Sequence, residues 1–335
     1  MPNTKPVCSS AEIAHAVEAE AARVGLCDAN QTVSITKDFD GKTLDHLMTL
    51  PEDVKFITED GNGVMNNAVM ARAFAIATER GLTIMSHAED REISPWDYRL
   101  AENIETVRNC HLAEYYGTRL HMCHVSTKES VDAIRMSRLR GARVSCEVTP
   151  HHLWFDDSRL QYKVNPPIRK TEDQRVLWAA LRKGEIQTVS TDHCSFTLEQ
   201  KDAGRGDFTR IPGGLPGVET RGELLYTYGV TTRKISLATM CRVLSENPAK
   251  LYGMFPRKGV LQAGADADIV VYDPQADHLL RAEDMTSLAG YTPYEGFPIR
   301  GGIRQVWLRG RLAVEDGFVL AGPDGKYISR GKCSL

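Results

Sequence analysis

No stretch of the sequence approaches the roughly 20 consecutive apolar residues that a membrane-spanning helix needs. The opening MPNTKPVCSSAEIAHAVEAE has no apolar core, so no secretory signal is expected there. The eight cysteines are scattered and form no CxxC pair, which argues against a thiol metal knuckle or a disulfide framework at this length. Cys123, Cys146 and Cys194 lie in or beside apolar strand-like runs, where free thiols behave as small hydrophobes. Net charge is only −3, from 41 basic and 44 acidic residues. That balance offers no bulk attraction to nucleic acid or to an anionic membrane. Arg135, Arg138, Arg140 and Arg143 alternate with apolar residues at helical spacing and are expected on a solvated helix face. No repeat or low-complexity segment is present, and the cytoplasm is the expected compartment.

What the chain does contain is alternation. Short β-rich runs occur at 32–36, 54–58, 82–87, 119–126, 143–149 and 186–193. Helical patterns lie between them at Asn67–Arg80, Pro95–Tyr116, Lys128–Arg140 and Thr171–Lys183. Strand–helix repetition of this kind predicts a parallel sheet with crossover helices, and six runs approach the eight of a complete α/β barrel. After about Leu251 the texture changes to β-rich, with KGVLQAGADADIVVYDP and a hairpin expected around Arg309, Gly310 and Arg311. The expected division is an α/β barrel over 1–250 and a small β-rich subdomain with a tail over 251–335.

In a parallel α/β barrel the functional side chains sit at the C-terminal ends of the strands. Here those ends carry Glu59 and Asp60, then His87 with Glu89 and Asp90, then His124, then His151 and His152, then Asp192 and His193. Imidazole and carboxylate are the donors that zinc and similar ions take. A lone histidine at a strand end is usually a hydrogen-bonded structural residue, and a lone aspartate is usually a helix cap. Agreement among several strand ends points instead to one shared metal site at the barrel mouth. His121 and His124 are three apart, so on one continuous strand they leave on opposite faces; His124, at the end, is better placed for the mouth. His151 and His152 stay open between ligand and loop residue.

The motifs MPNTKP, HAED, HVSTKES, CEVTPHHL, YKVNPPIR, STDH and NPAKLYG, in this order, resemble class I dihydroorotases along essentially the whole chain. A second set, DHCSF, GRGDFTRIPGGLPGVETR, FPRKG and TPYEG, resembles dihydropyrimidinases and hydantoinases. Both groups belong to the amidohydrolase superfamily. The resemblance implies a TIM-type (β/α)8 barrel whose mouth holds a binuclear metal centre, usually Zn²⁺, acting on a small cyclic amide, in a homo-oligomer. Carried over by motif, Asp60 resembles the bridging carboxylate. His87 and His124 resemble ligands of the second metal, and Asp192 resembles the strand-eight ligand and catalytic proton carrier. Asn3 resembles the residue that holds a substrate carboxylate and Asn165 the one that bonds the ring. Gly214, Pro216 and Gly217 lie in the loop expected to offer backbone groups to ring amides. The implied reaction is attack of metal-activated water on a ring amide, with Asp192 moving the proton.

Two departures accompany the resemblance. No HxH pair, the family's first-strand ligands, occurs among these residues, so the chain is expected to lack the first strand and most of the second and to assemble at most part of the centre. A non-catalytic scaffold homologue is the rival of another class. Second, Phe196 stands four residues after Asp192, where class I dihydroorotases carry a substrate-gripping histidine. Dihydroorotase is the favoured activity and dihydropyrimidinase or hydantoinase the alternative.

Overall fold

The computed structural model describes every residue except 160, 161, 205, 321 and 323. Strands β1 (Val33–Ser34), β2 (Phe56–Thr58), β3 (Thr83–Ser86), β4 (Arg119–Met122), β5 (Val144–Val148) and β6 (Thr188–Val189) form one parallel sheet in sequential order. Each falls inside a β-rich run of the sequence. Sequential parallel order needs a crossover after each strand. Helices α2 (Asn67–Arg80), α3 (Tyr98–Tyr116), α4 (Lys128–Leu139) and α6 (Thr171–Lys183) supply four, with a short α5 (Pro150–Trp154) before α6.

Local chemistry sets these limits. Asn66 caps α2 by accepting from the Ala68 and Val69 amides, and Gly81 ends it at φ 66°. Helix α3 begins three residues later than its apolar pattern because Asp97 accepts from the Arg99 and Leu100 amides. A helix not singled out in the sequence, α1 (Ala11–Val24), starts at the Ser10 cap.

Both sheet edges are covered, which suppresses edge-to-edge pairing. On β1 the Ser34 amide donates to the Cys8 carbonyl. On β6 the Arg221 guanidinium donates to Val189 O at 3.1 Å, and the Asn247 amide donates to Gln187 O at 2.8 Å. Among the described residues no ladder joins β1 to β6.

The arginine cluster divides: Arg140 and Arg143 are exposed as expected, whereas Arg135 and Arg138 are half-buried. Arg138 reaches back from α4 to Val144 O, Glu185 O and the Gln187 side chain, all at 2.6–2.7 Å, and Arg135 pairs with Glu185. These stems pack α4 onto β5 and the approach to β6 instead of lying free in water.

The C-terminal unit is a four-stranded antiparallel sheet of β7 (Ile269–Asp273), β10 (Gly302–Leu308), β11 (Arg311–Glu315) and β12 (Phe318–Val319). A two-stranded ribbon of β8 (His278–Leu279) and β9 (Pro298–Ile299) lies between. The expected hairpin turns at Arg309 and Gly310, both left-handed at φ 48° and 79°. Residues near the start of the chain join this unit: Asp28 pairs with Arg309 and Lys258, and Ala29 bridges to Tyr327.

Two apolar cores result. The larger lies between sheet and helices, with Ile57, Phe74, Ile84, Leu120, Ile134 and Leu177 fully buried. The smaller groups Phe155, Val164, Leu215, Leu224, Tyr294 and Ile299 beneath the loops after β5 and β6.

One buried ion pair ties the loop after β4 to helix α3 and to the segment leading into α6. Glu102 of α3 accepts from the Ser126 and Thr127 amides, and Arg169 donates to Glu102 at 2.9 Å and to the Ser126 hydroxyl at 2.9 Å. Burial opposes the charge on Glu102, but Arg169 and Ser126 hold its carboxyl below the ordinary range. Glu102→Ala leaves Arg169 uncompensated and is expected to destabilise the fold by about 3–5 kcal/mol. Urea unfolding measures this, and a change within about 0.5 kcal/mol, ordinary for a surface site, would contradict it.

Candidate metal and substrate site

Asp60, His87 and His124 converge where β2, β3 and β4 end, each offering a ligand atom within 4.8 Å of the others. His87 Nδ1 lies 2.9 Å from His124 Nε2 and 3.9 Å from Asp60 Oδ1. The other nitrogen, His87 Nε2, lies 3.0 Å from Glu89 Oε2. This carboxylate partner fixes the ring's orientation from behind, an arrangement common to metal-binding histidines. In the sequence Glu89 stands out only as a neighbour of His87.

The electrostatics agree with that geometry. Burial opposes a charge on His87, yet its bond to Glu89 and the charges of Asp60, Glu89 and Asp192 raise its pKa to about 9. Burial and the neighbouring His87 lower His124 to about 4. The 2.9 Å bond between His87 Nδ1 and His124 Nε2 places one proton between the two ring nitrogens, whichever ring carries it. A cation can take the place of that proton and satisfy both nitrogens, with Asp60 as the charge-balancing oxygen. The donor set fits zinc by this test.

Asp192 stands beside the cluster but outside the 4.8 Å grouping. Burial raises its pKa to about 6, and its charge is felt at both Asp60 and His87. His124 and Asp192 both adopt left-handed backbone, at φ 33° and 45°. Neither is glycine, so each carries backbone strain of the kind that collects at functional sites.

The alternation expected for His121 and His124 does not run through, because β4 ends at Met122 and His124 lies beyond it. His121 is fully buried, bonded to Ser145 Oγ at 2.8 Å and Glu147 Oε2 at 3.1 Å. His152 bonds Thr149 Oγ1 and Pro166 O, which holds the loop after β5 against the Asn165–Pro166 turn. His151 is buried with Nε2 unpartnered, and burial, with His152 beside it, pushes its pKa well below the ordinary range. Glu59 turns away from the cluster to the Thr36 amide and hydroxyl.

The expected substrate residues surround this group unevenly. Asn3 donates to the Asp60 carbonyl at 3.0 Å. Asn165 Oδ1 is buried without a partner, an acceptor available to a ring N–H. In the loop, the Gly214 amide is already used by Lys163 O, and the Gly217 and Val218 amides by His193 Nδ1. The Pro212, Gly214 and Leu215 carbonyls also accept within the protein, each keeping a second lone pair.

The sequence profile of the amidohydrolase family matches residues 33–313. A dihydroorotase of Clostridium botulinum (strain Eklund 17B / Type B) is 39% identical over 314 residues, covering 93% of this chain and 77% of the relative. A D-hydantoinase of Ralstonia pickettii is 34% identical over 306 residues, covering 83% and 67%. The crystal structure of dihydropyrimidinase from Brevibacillus agri NCHU1002 superposes with a TM-score of 0.89 at 28% identity, covering 98% of this chain and 78% of that one.

Glu89→Gln weakens the hold on the His87 ring and is expected to lower zinc affinity about 10- to 100-fold. Competition against a chromophoric chelator reads the affinity, and a value matching the wild type would contradict the assigned role.

Proposed function

The chain belongs to the amidohydrolase family, and from that membership we propose that it hydrolyses the ring amide of dihydroorotate to N-carbamoyl-aspartate at the Asp60–His87–His124 cluster. The observation that carries this is the convergence of one carboxylate and two imidazoles from three strand ends within 4.8 Å. The match to a dihydroorotase at 39% identity supports the substrate.

Asp60, His87 and His124 would hold a divalent cation, for which zinc is the proposed identity. Bound there, the cation supplies Lewis acidity, lowering the pKa of water and polarising a carbonyl. The remaining work falls to the protein. Asp192, with its pKa raised by burial to about 6, is largely ionised at neutral pH and accepts a proton from the attacking water. Its protonated form then hands that proton to the leaving ring nitrogen, so water adds across the C–N bond. Asn165 Oδ1 accepts from a ring N–H and fixes the ring's register. Asn3, beside Asp60, is the proposed contact for the substrate carboxylate.

A second substrate class has its own support. Phe196 offers no hydrogen bond to a carboxylate, and the chain is 34% identical to a D-hydantoinase. A ring without a carboxylate, such as a dihydropyrimidine or hydantoin, needs no such partner. Zinc-loaded protein assayed with dihydroorotate and with dihydrouracil separates the two. Turnover of dihydroorotate supports the first reading, turnover of dihydrouracil alone moves the substrate to the second, and inactivity toward both overturns the enzymatic reading. Asp192→Asn is expected to lower kcat by roughly 10²- to 10⁴-fold, the usual contribution of a positioned acid–base group. A kcat within about twofold of wild type would remove Asp192 from the reaction.

A further inference from the structure

The segment before Asn165 and the loop at 212–218 meet at one half-buried ammonium. Lys201 lies on the short helix α7 (Leu198–Asp202), which a capping box of Thr197 and Gln200 starts soon after Asp192. Its Nζ donates to Lys163 O at 3.2 Å, Pro212 O at 2.6 Å and Gly214 O at 2.6 Å. An ammonium has three N–H groups, and three carbonyls take them. Lys163 O also accepts from the Gly214 amide at 2.9 Å, so the ammonium closes a ring of bonds between the strand of loop before Asn165 and the loop at 212–218.

The loop packs closely against its neighbours. A Cβ on Gly214, at φ 141°, would lie 2.5 Å from Cys194 Cβ, and a Cβ on Gly213 would lie 3.2 Å from Asn165 Cγ. Leu215 O accepts from the Cys194 amide at 3.0 Å, and His193 Nδ1 accepts from Gly217 and Val218. His193 thus ties the far end of the loop and Lys201 the near end. Burial lowers the Lys201 pKa to about 8, which leaves the charged, three-donor form dominant at neutral pH.

We propose that Lys201 is a positioning residue for the ring of the substrate, holding Asn165 and the 212–218 loop in the one arrangement that presents their acceptors together. This rests on the cyclic-amide reading given above. Lysine suits the place because one compact charged nitrogen on a flexible stem can meet three carbonyls that converge on a single point, whereas a guanidinium spreads its donors over three nitrogens in a plane. Order supplied before binding costs the substrate nothing at the moment of binding.

Lys201→Met keeps the stem and removes the donors. It is expected to raise KM for the turned-over substrate about tenfold while kcat stays within about threefold, since ring placement and not proton transfer is lost. Amide hydrogen exchange over 212–218 is expected to accelerate at least tenfold in the same protein, with exchange in α2 and α3 unchanged. Lys201→Gln, which retains donors, should fall between. Wild-type KM and wild-type exchange in Lys201→Met would overturn the proposal. So would unfolding of both variants, which would make Lys201 a residue of the fold and not of the site. If wild-type protein hydrolyses neither dihydroorotate nor dihydrouracil, the functional reading fails, and the exchange measurement alone decides the clamp.

Discussion

A 2.9 Å approach between two imidazole nitrogens organises the mouth of this sheet. His87 and His124 come from adjacent parallel strands, and such closeness between two rings that both seek protons persists only if something charged or protonated lies between them. The surroundings are built to hold that arrangement. Glu89 fixes His87 from one side, Asp60 balances charge from another, and the buried Glu102–Arg169 pair secures the loop that carries His124. The strained backbone at His124 is the local cost of turning its ring toward the cluster.

The chemistry is distributed by distance from that contact. Groups nearest to it are ionisable and buried. Asp192, just outside, has its pKa raised by burial to about 6, which suits its proposed role of taking and returning a proton. Farther out, the groups proposed for recognition are neutral: an unpartnered amide oxygen on Asn165 and the backbone of a loop whose Gly214, Gly217 and Val218 amides are bonded within the protein. Such acceptors suit the N–H edges of a cyclic amide. Phe196 contributes no donor, so in the dihydroorotate reading the carboxylate relies on Asn3 and the cation.

Much of this was legible in the sequence. The bounds of α2 and α6 agree with the periodic pattern because a capping residue or a terminal glycine frames each. The six β-rich runs each contain a strand, and Asp60, His87 and His124 could be picked out because they end three of them. Other features left no such trace. The backbone reversal at His124 breaks the two-residue alternation on which the comparison with His121 relied. Helix α1 begins at Ser10, whose hydroxyl accepts from the Ile13 amide at a long 3.4 Å, in a segment without a marked apolar stripe. Arg135 and Arg138 have helical spacing, but their partners are carbonyls and side chains around positions 144 and 185–187, so periodicity alone placed them in water. Lys201 bonds only to backbone oxygens, which no motif reveals.

X-ray absorption at the zinc edge of zinc-loaded protein tests the central claim most directly. Bound zinc should show nitrogen or oxygen neighbours at about 2.0–2.1 Å with the multiple-scattering signature of imidazole, and no sulfur at about 2.3 Å. That signature should disappear when His87 and His124 are both replaced by alanine. Zinc that fails to bind in stoichiometric amount, or that keeps an imidazole environment in the double variant, would contradict the account.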